Sequence, residues 1–453
     1  MSKKPRFITG RKPVKKNLPS RAEATIEKFS HDMRGIARVG GKTVFIDSAL
    51  PGEQVKFRYT ARRGRFDEGI VEDVISASAD RCAPQCAYVD SCGGCSVQHL
   101  QPSAQIIEKQ KVLLDQLLRF GGIEPEEILP PLTADAYGYR RKARIGIRKL
   151  KKSQGGELLF GFRKKHSNDL VDVDECPVLH TKIAEHLGSL KKLVGESEGR
   201  ANFSHLEVAV GDDVTALVLR HLKPLSDKDL ALWLAFAKST GIHLYIQGGS
   251  DASLERIWPT EGAAYLSYQL PEFDLTLRFK PQDFVQVNFA MNRQMVSRAV
   301  ELLDPQPSER VLDLFCGLGN FTLPLARRAA EVIGVEGVGA LTQRGVDNAA
   351  LNQLQNVHFY SADLNEKMAG APWAEAGFDK ILLDPPRDGA LEAVRGLARF
   401  SASRIVYVSC NPATLARDAG ELVKLGYRLS KVGVMDMFPH TDHVESMAVF
   451  DRI

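Results

Sequence analysis

Two short runs near the C-terminus hold a thiol and a carboxylate. Cys410 follows an apolar run in the sequence VSCNP, and Glu445 ends the sequence HTDHVE. A free thiol has a pKa of about 8.5, so only a small fraction is thiolate at neutral pH, but that fraction is strongly nucleophilic. A carboxylate can act as a general base in a later step. The two side chains therefore suit nucleophilic attack followed by removal of a proton.

Methylation at carbon 5 of a pyrimidine needs these two groups and a methyl donor. Carbon 5 is too weakly nucleophilic to attack a methyl donor unaided, whereas attack of a thiolate on carbon 6 turns carbon 5 into an enolate carbon. A base must then remove the carbon 5 proton so that the thiol is eliminated. The alternative for Cys410 is a buried core cysteine, but Asn411 and Pro412 end the element at that point.

A glycine-containing loop upstream has the pattern of a cofactor site. The predicted strand VLDLF at residues 311–315 is followed by Gly317 and Gly319, which let the backbone approach a ligand closely. Glu336 follows the next predicted strand, where a carboxylate can bind both ribose hydroxyls, and Asp363 follows the third, where it can accept from an adenine amine. The third glycine of a dinucleotide loop is missing. The pattern therefore favours S-adenosylmethionine, which has no phosphate, over a nicotinamide cofactor.

A further acidic residue, Asp384, ends a predicted strand and begins the sequence DPPR. This sequence resembles the signature of amino-methyltransferases, in which an aromatic residue usually follows the two prolines. Arg387 stands at that position instead, and amino methylation needs no cysteine. An amino-methyltransferase that uses Asp384 is therefore the weaker alternative to the carbon 5 reaction.

Cysteine spacing predicts a metal site rather than disulfides. Cys86, Cys92 and Cys95 form a C-x5-C-x2-C cluster around two glycines, and Cys176 lies alone downstream. Thiolates hold either zinc or an iron-sulfur cluster, so the spacing leaves the metal open, and unligated packing thiols are the alternative. Cys82 lies close by but does not fit a four-ligand pattern.

The N-terminal part of the chain has features of RNA binding. Residues 1–20 include many basic and no acidic residues, which predicts a disordered arm suited to a phosphate backbone or, alternatively, a solubilising tail. Residues 21–78 alternate apolar and polar positions between turn residues, which predicts a small β-barrel. The sequences DMRGIARV at residues 32–39 and LPGE at residues 50–53 resemble a TRAM domain, an OB-like RNA-binding module.

The remaining elements must position the thiol and the cofactor loop. A helix is predicted over residues 103–120, and a strand near residue 145 would present Arg144 and Arg148 on one face, which either binds RNA or is simply solvated. From residue 279 onward strands alternate with helices, which predicts a mostly parallel sheet with helices on both faces. Such sheets bind ligands at the carboxyl ends of their strands, where Cys410 falls.

Length and composition limit the number of domains and the class of protein. The 453 residues allow two or three domains with substantial cores, and the net charge of +4 is modest. No apolar stretch reaches the length of a membrane span, and the N-terminus lacks an apolar signal core. We therefore expect a cytoplasmic protein without membrane contact, and a monomer, since no obligate protein partner is evident.

These motifs identify the chain as similar to the bacterial RNA (uracil-C5)-methyltransferases along its whole length. The resemblance implies that Cys410 of the SCNP run is the nucleophile and that Glu445 of the HVE run is the base. It implies that Gln286, in the family's F-x-Q-x-N stretch at residues 284–288, contacts S-adenosylmethionine. The other implied cofactor positions are Phe315, Asn320, Glu336, Asp363 and Asp384.

The branch of this family that methylates 23S ribosomal RNA combines a TRAM domain with a four-cysteine cluster, and this chain has both features. The resemblance therefore implies a specific uridine of 23S ribosomal RNA as the target. It also implies a [4Fe-4S] cluster held by Cys86, Cys92, Cys95 and Cys176. The alternatives are a uridine of another ribosomal or transfer RNA, and a catalytically inactive iron-sulfur protein that binds RNA.

The sequence thus predicts a multi-domain chain with an OB-like β-barrel, a central α/β domain and a Rossmann-like α/β methyltransferase domain. The predicted bounds are 1–20 for the basic arm, 21–78 for the TRAM domain, 79–270 for the central iron-sulfur and RNA-binding domain, and 271–453 for the methyltransferase domain. The helix at residues 103–120 is a candidate to pack on the methyltransferase domain. The target uridine is expected to flip out of its RNA into the active site.

Overall fold

The structure, a computed structural model, describes residues 20–150, 156–250, 253–262, 264–364 and 370–453. The basic arm predicted over residues 1–20 therefore lies outside the described residues, apart from Ser20. The chain divides after Arg81 into two compact units. None of the helices in the described ranges has the length and apolar character that crossing a bilayer requires.

The first unit is built from six β-strands: β1 (Arg21–Thr25), β2 (Lys28–Phe29), β3 (Gly35–Val39), β4 (Lys42–Asp47), β5 (Gln54–Arg62) and β6 (Phe66–Ser76). They form one sheet in the order β1-β5-β6-β4-β3-β2, in which only the pair β4 and β6 is parallel. Alternate residues point inward, so Val44, Ile46, Val55 and Phe57 are fully buried. The prediction of a small all-β module is confirmed.

The second unit begins with a helix and a seven-stranded sheet. Its elements are α1 (Pro102–Gln116), β7 (Glu127–Ile128), β8 (Lys142–Lys149), β9 (Leu158–Arg163), β10 (Leu170–Asp172), α2 (Thr181–Ala184), α3 (Leu187–Glu196), β11 (Phe203–Val210), β12 (Thr215–His221), α4 (Asp227–Thr240), β13 (His243–Gln247) and β14 (Leu254–Trp258). The sheet order is β10-β9-β8-β11-β12-β13-β14, with only β12 and β13 parallel. Leu190 of α3 and Trp233 of α4 lie fully buried in the core that joins these helices to the sheet.

Strand β8 has the two faces that its sequence predicts. Ile145 is fully buried, whereas Arg144 and Arg148 are exposed on the opposite face. Arg144 forms an ion pair with Glu207, and Arg148 forms one with Asp169 at 3.2 Å. Carboxylates therefore neutralise part of this cationic face.

The C-terminal part of the second unit is an open α/β sheet. Its elements are β15 (Leu266–Leu270), β16 (Leu275–Phe279), α5 (Phe289–Leu303), β17 (Arg310–Leu314), α6 (Thr322–Ala326), β18 (Glu331–Glu336), α7 (Gly339–Leu351), β19 (Val357–Ser361), β20 (Lys380–Leu383), α8 (Leu391–Gly396), β21 (Arg404–Ser409), α9 (Pro412–Lys424), β22 (Tyr427–Met435) and β23 (Glu445–Arg452). Strands β15 and β16 form a separate hairpin. The sheet order is β19-β18-β17-β20-β21-β23-β22-β7, and β23 runs antiparallel to both of its neighbours.

This topology confirms the predicted Rossmann-like, mostly parallel sheet. The chain runs outward from β17 to β19 and then returns to the other side of β17 with β20 and β21. A crevice forms at such a reversal, outside the carboxyl ends of the strands. Strands β17 and β20 end side by side there, with Leu314 paired to Leu383.

Helix α1 comes early in the chain but packs against α9 and β22 near the C-terminus. The chain continues from α1 as a π-helical turn, Leu117–Gly121, which also contacts α9. The short strand β7 then pairs in parallel with β22. The segment before the central sheet is thus tied to the C-terminal sheet.

Candidate active site

A cavity of about 520 Å³ lies at the carboxyl ends of β17, β18, β20 and β21. Its wall brings together all the residues predicted for the cofactor and for catalysis: Gln286, Phe315, Asn320, Glu336, Asp363, Asp384, Cys410 and Glu445. Small-molecule sites have volumes of roughly 300–1,000 Å³. These residues are far apart in the sequence and meet because the strands that precede many of them end at the same edge of the sheet.

The loop after β17 forms one wall of the cavity. Phe315, Gly317 and Gly319 have left-handed backbone conformations, with φ of +63°, +56° and +99°. Glu336 holds this loop from the end of β18, since one carboxylate oxygen accepts from the Gly317 N–H at 3.1 Å and the other from the Val338 N–H at 2.9 Å. Each oxygen has a further lone pair with which it can accept from a ribose hydroxyl.

Asn320 is held at the cavity wall by side chains from outside its loop. Its Oδ1 accepts from the Tyr268 hydroxyl and from Asn292 Nδ2, both at 2.9 Å, and its Nδ2 donates to Asn292 Oδ1 at 2.9 Å. The second N–H of Asn320 is suited to a ligand. No local motif indicated a role for Tyr268 or Asn292, which belong to β15 and α5.

Cys410 lies in the turn between β21 and α9. The next residue, Asn411, caps α9, because its side-chain oxygen accepts from the Ala413 N–H at 3.1 Å. The Asn411 Nδ2 also donates to the carbonyl of Arg387 at 3.0 Å. The turn that holds the thiol is thus fixed both to its own helix and to the DPPR segment.

The charges of two carboxylates and a guanidinium shift the pKa of the Cys410 thiol. Burial, followed by the charges of Glu445 and Asp384, raises the pKa of the Cys410 thiol to about 11, whereas Arg387 opposes the rise. Burial is also the main cause that raises the pKa of Glu445 to about 8 and the pKa of Asp384 to about 7. The Cys410 thiol is therefore protonated near pH 7, whereas the two carboxyl groups lose their protons near neutral pH. Such shifted pKa values are typical of a nucleophile that works with a general base.

Glu445 is the first residue of β23 and pairs across the sheet with Met435, the last residue of β22. Its side chain lines the cavity, but the residue is largely buried, with only 8% of its surface exposed. The connection between the two strands, residues 436–444, contributes Phe438 and His443 to the cavity wall.

Arg387 and His443 line the same cavity, and neither is among the site residues predicted from the sequence. The Nη2 atom of Arg387 lies 3.0 Å from Nε2 of His443. Burial, and then the charge of Arg387, lowers the pKa of His443 to about 4, so its ring is neutral near pH 7. Their positions close to Asp384 and Glu445 in the sequence were the signal that could have identified them.

The cysteines predicted as metal ligands influence one another electrostatically in the second unit. Burial is the main cause that raises the pKa of Cys95 to about 11 and that of Cys176 to about 12, and the charge of Cys86 also raises both. In the described part of the chain, however, no three such side chains are spaced to hold a metal ion as they stand. The donor chemistry fits an iron-sulfur cluster or zinc, whereas the spacing is not that of a closed site.

Backbone contacts shape the loop that holds three of these cysteines. The Gly94 N–H lies 3.4 Å from Cys92 Sγ, and the Gly93 N–H donates to the carbonyl of Arg163 at 2.8 Å. The fifth cysteine, Cys82, donates from its thiol to the carbonyl of Gln98 at 3.4 Å. Each of the five side chains is partly exposed, and none of the five forms a disulfide.

Family models match most of the chain. The model described as tRNA (Uracil-5-)-methyltransferase matches residues 102–453, and the TRAM domain model matches residues 17–62. The TRAM domain predicted from the sequence is thereby confirmed.

Full-length relatives agree with these matches. A protein of Alcanivorax borkumensis named 23S rRNA (uracil(1939)-C(5))-methyltransferase RlmD is 50% identical, over 97% of this chain and 98% of its own length. A protein of the same name from Hahella chejuensis is 48% identical, over 97% of this chain and 99% of its own length. The solved structure of Pyrococcus abyssi tRNA (uracil-54, C5)-methyltransferase with S-adenosyl-L-homocysteine matches with a TM-score of 0.71 and 25% identity, over 95% of this chain and 100% of that chain.

Proposed function

This chain belongs to the tRNA (uracil-5-)-methyltransferase family, and we propose that its substrate is a specific uridine of 23S ribosomal RNA. It is an S-adenosylmethionine-dependent enzyme that methylates carbon 5 of uracil in RNA. The choice of 23S ribosomal RNA is supported by relatives that are 48% and 50% identical along nearly their full length.

The main support for the reaction is the place of Cys410 in the wall of the same cavity as the cofactor loop. The complete reaction requires the thiol to reach carbon 6 and the methyl donor to reach the adjacent carbon 5 of the same ring. A regulator with an inactive transferase domain would not need a thiol and a buried carboxylate at that point. An amino-methyltransferase would use Asp384 without either group.

We assign the nucleophile to Cys410 and the base to Glu445. Cys410 adds through its sulfur to carbon 6 of the uracil, and Arg387 favours the thiolate because its positive charge opposes the rise in the thiol pKa. S-adenosylmethionine, when bound, supplies the methyl group to carbon 5. Glu445 then accepts the carbon 5 proton, so that the ring regains its double bond, the bond between carbon 6 and sulfur breaks, and Cys410 is released as the thiolate. With a pKa of about 8, Glu445 is a stronger base than an exposed glutamate.

The cofactor contacts are proposed from the same cavity wall. Glu336 accepts from the ribose hydroxyls, and Asp363 accepts from the adenine amine. Asn320 donates from the amide that Tyr268 and Asn292 hold in place. The remaining residues that we assign to S-adenosylmethionine are Gln286, Phe315 and Asp384.

We also propose that Cys86, Cys92, Cys95 and Cys176 hold a [4Fe-4S] cluster. Four sulfur donors from two segments of the chain support this choice, and among them burial raises the pKa of Cys95 and of Cys176. The cluster would link the two segments and takes no part in the methyl transfer.

RNA recognition is assigned to the parts of the chain outside the methyltransferase. We propose that the TRAM domain (21–78) and the central domain (79–270) grip the RNA, with Arg144 and Arg148 among the contacts, and that the target uridine flips into the methyltransferase domain (271–453). A single chain supplies all eight predicted cavity residues, so this cavity wall needs no second copy to complete it. We propose that the enzyme acts as a monomer without an obligate protein partner. We propose a cytoplasmic location for the enzyme, because the proposed ribosomal RNA target is found there.

The test is the modification state of ribosomal RNA in a strain that lacks the gene. We expect one 5-methyluridine of 23S ribosomal RNA to be absent, restored by the wild-type gene and not by the Cys410→Ala gene. An unchanged 23S methylation pattern, with loss of a methyl group from transfer RNA or from an exocyclic amine, would contradict the proposal.

A further inference from the structure

The connection between β22 and β23, residues 436–444, leads directly to Glu445 and is here called the catalytic loop. We propose that Gln105 and Lys109 of α1 are positioning residues that hold the catalytic loop in the shape that directs Glu445 and His443 into the cavity. This inference rests on the proposed function, since it concerns the step assigned to Glu445. Gln105 and Lys109 do not line the described cavity, so they act through the loop.

Gln105 is fully buried and makes its hydrogen bonds to two segments at once. Its Oε1 accepts from the His440 backbone N–H at 2.7 Å, and its Nε2 lies 3.0 Å from the ring Nδ1 of His440. The same Nε2 donates to the carbonyls of Val97 and Leu100, at 3.2 and 2.7 Å. One amide thus joins α1, the segment after Cys95 and the catalytic loop.

Lys109 fixes the beginning of the loop. Its side chain is fully buried and pairs with Asp436 at 2.8 Å between Nζ and Oδ1. Nζ also donates to the carbonyl of Phe438 at 3.0 Å. A buried ammonium with these partners is tightly constrained, because leaving either charge unpaired in the interior is costly.

The segment that follows Cys95 holds the same loop by its backbone. The N–H groups of Ser96 and Val97 both donate to the carbonyl of His440, at 2.8 and 3.0 Å. The Asp442 N–H donates to Ser96 Oγ at 3.0 Å. The Ser96 hydroxyl in turn donates to Asp442 Oδ1 at 3.2 Å. Two backbone bonds and two bonds of the Ser96 hydroxyl therefore connect the residues after a proposed cluster ligand to the middle of the catalytic loop.

The loop needs such support because its backbone is strained at His440. This residue has a φ of +67° and is 1% exposed. Side chains with a Cβ rarely adopt the left-handed region, and they keep it only where surrounding contacts hold it. Gln105, Ser96 and Val97 form hydrogen bonds with His440 or contact its ring, and the ring centroid of Tyr137 lies 4.4 Å from that of His440. All four residues lie more than 300 residues earlier in the chain.

The test compares Gln105→Leu with the matched control Lys111→Gln in the full-length, metal-loaded protein. Leucine keeps the buried volume of the side chain but removes its hydrogen bonds, whereas Lys111 forms an exposed ion pair with Glu108 on the same helix. Hydrogen exchange is measured on peptides of the catalytic loop, together with steady-state methylation of 23S ribosomal RNA. Gel analysis then measures the covalent enzyme–RNA complex that is present during turnover.

For Gln105→Leu we expect exchange of the loop peptide, which includes the His440 amide, to be roughly tenfold faster, because a buried donor loses its partner. We expect kcat to fall by at least roughly tenfold while the KM for S-adenosylmethionine stays within about twofold, because the cofactor wall does not include Gln105. Slow proton removal should make the methylated complex accumulate. Lys111→Gln should match the wild type in every measurement.

Unchanged exchange in the loop, or faster exchange with unchanged kcat, would overturn the inference. A loss of kcat of the predicted size without accumulation of the methylated complex would also overturn the inference, since a general defect in folding has that effect. Absence of methylation by the wild-type protein would refute the proposed function instead, and the exchange data would still decide whether Gln105 holds the loop.

Discussion

Partly exposed free thiols occur in two regions of the second unit, at the cavity and in the four-cysteine region. In both regions burial is the main cause of a raised thiol pKa, which is about 11 for Cys410 and also about 11 for Cys95. Residue type, exposure and pKa direction therefore do not distinguish a nucleophile from a metal ligand.

The neighbours of the thiols make the difference. Cys410 has carboxylates, a guanidinium and a cavity of about 520 Å³ around it, whereas Cys95 and Cys176 have other thiols. A partly exposed thiol beside acids and open space can attack a substrate, and grouped thiols can share a metal.

The largest effect is expected for Cys410→Ala, which should reduce methylation by roughly 10⁴-fold or more because no other group can add to carbon 6. The iron content of the protein should be unchanged. The control Cys316→Ala removes a buried thiol of the same cavity wall and should cost far less activity. Iron loss from Cys410→Ala would break the distinction between the two regions.

The next effect is expected for Glu445→Gln, which should slow release of the product by roughly 10²- to 10⁴-fold, since it removes the general base. Methyl transfer should still occur once, so ordinary RNA should remain attached to the protein in methylated form. Mass spectrometry of the complex checks both points. Normal turnover of this variant would remove Glu445 from its role.

In the other region, Cys176→Ser should release most of the bound iron but reduce methylation less than Cys410→Ala. The reason is that a lost ligand opens the metal site without removing the nucleophile. Cys82→Ala is the matched control, because Cys82 lies in the same region and donates to Gln98 instead of joining the ligand set. Equal iron loss in both variants would contradict the assignment of the four ligands.

A smaller effect concerns pH. Glu445 and Cys410 are acids with raised pKa values of about 8 and about 11, so both lose their protons only at higher pH than usual. Because both steps use the deprotonated group, kcat should rise at least roughly tenfold from pH 6 to pH 8 and less steeply above pH 8. Glu445→Gln should lose the part of the rise centred near pH 8. A profile that falls over this range would contradict the roles of both groups.

Local sequence patterns and family motifs predicted the open sheet and the eight site residues that lie in the cavity wall. Glu336, Asp384 and Cys410 each come at or directly after the end of a short apolar strand. Parallel topology alone then requires them to share an edge. Gly317 and Gly319 could also be predicted as loop positions, since few other residues adopt left-handed conformations easily.

Other parts of the site depend on contacts that leave no local pattern. Gln105 and Lys109 are separated from their partners His440 and Asp436 by 335 and 327 residues. On a helix they look like solvent-facing polar residues, and only the packing of α1 against β22 shows that they are buried. The cationic face of β8 was predicted, but the Glu207 partner of Arg144 was not, because it lies on β11.

The most direct measurement is to react the full-length protein with target RNA that contains 5-fluorouridine and to map the covalent bond by mass spectrometry. Fluorine cannot leave as a proton, so the reaction should stop with the methylated ring attached to the protein. The account predicts a bond from the sulfur of Cys410 to carbon 6 of the ring. A bond to any other residue, or no bond from a protein that methylates ordinary RNA, would contradict it.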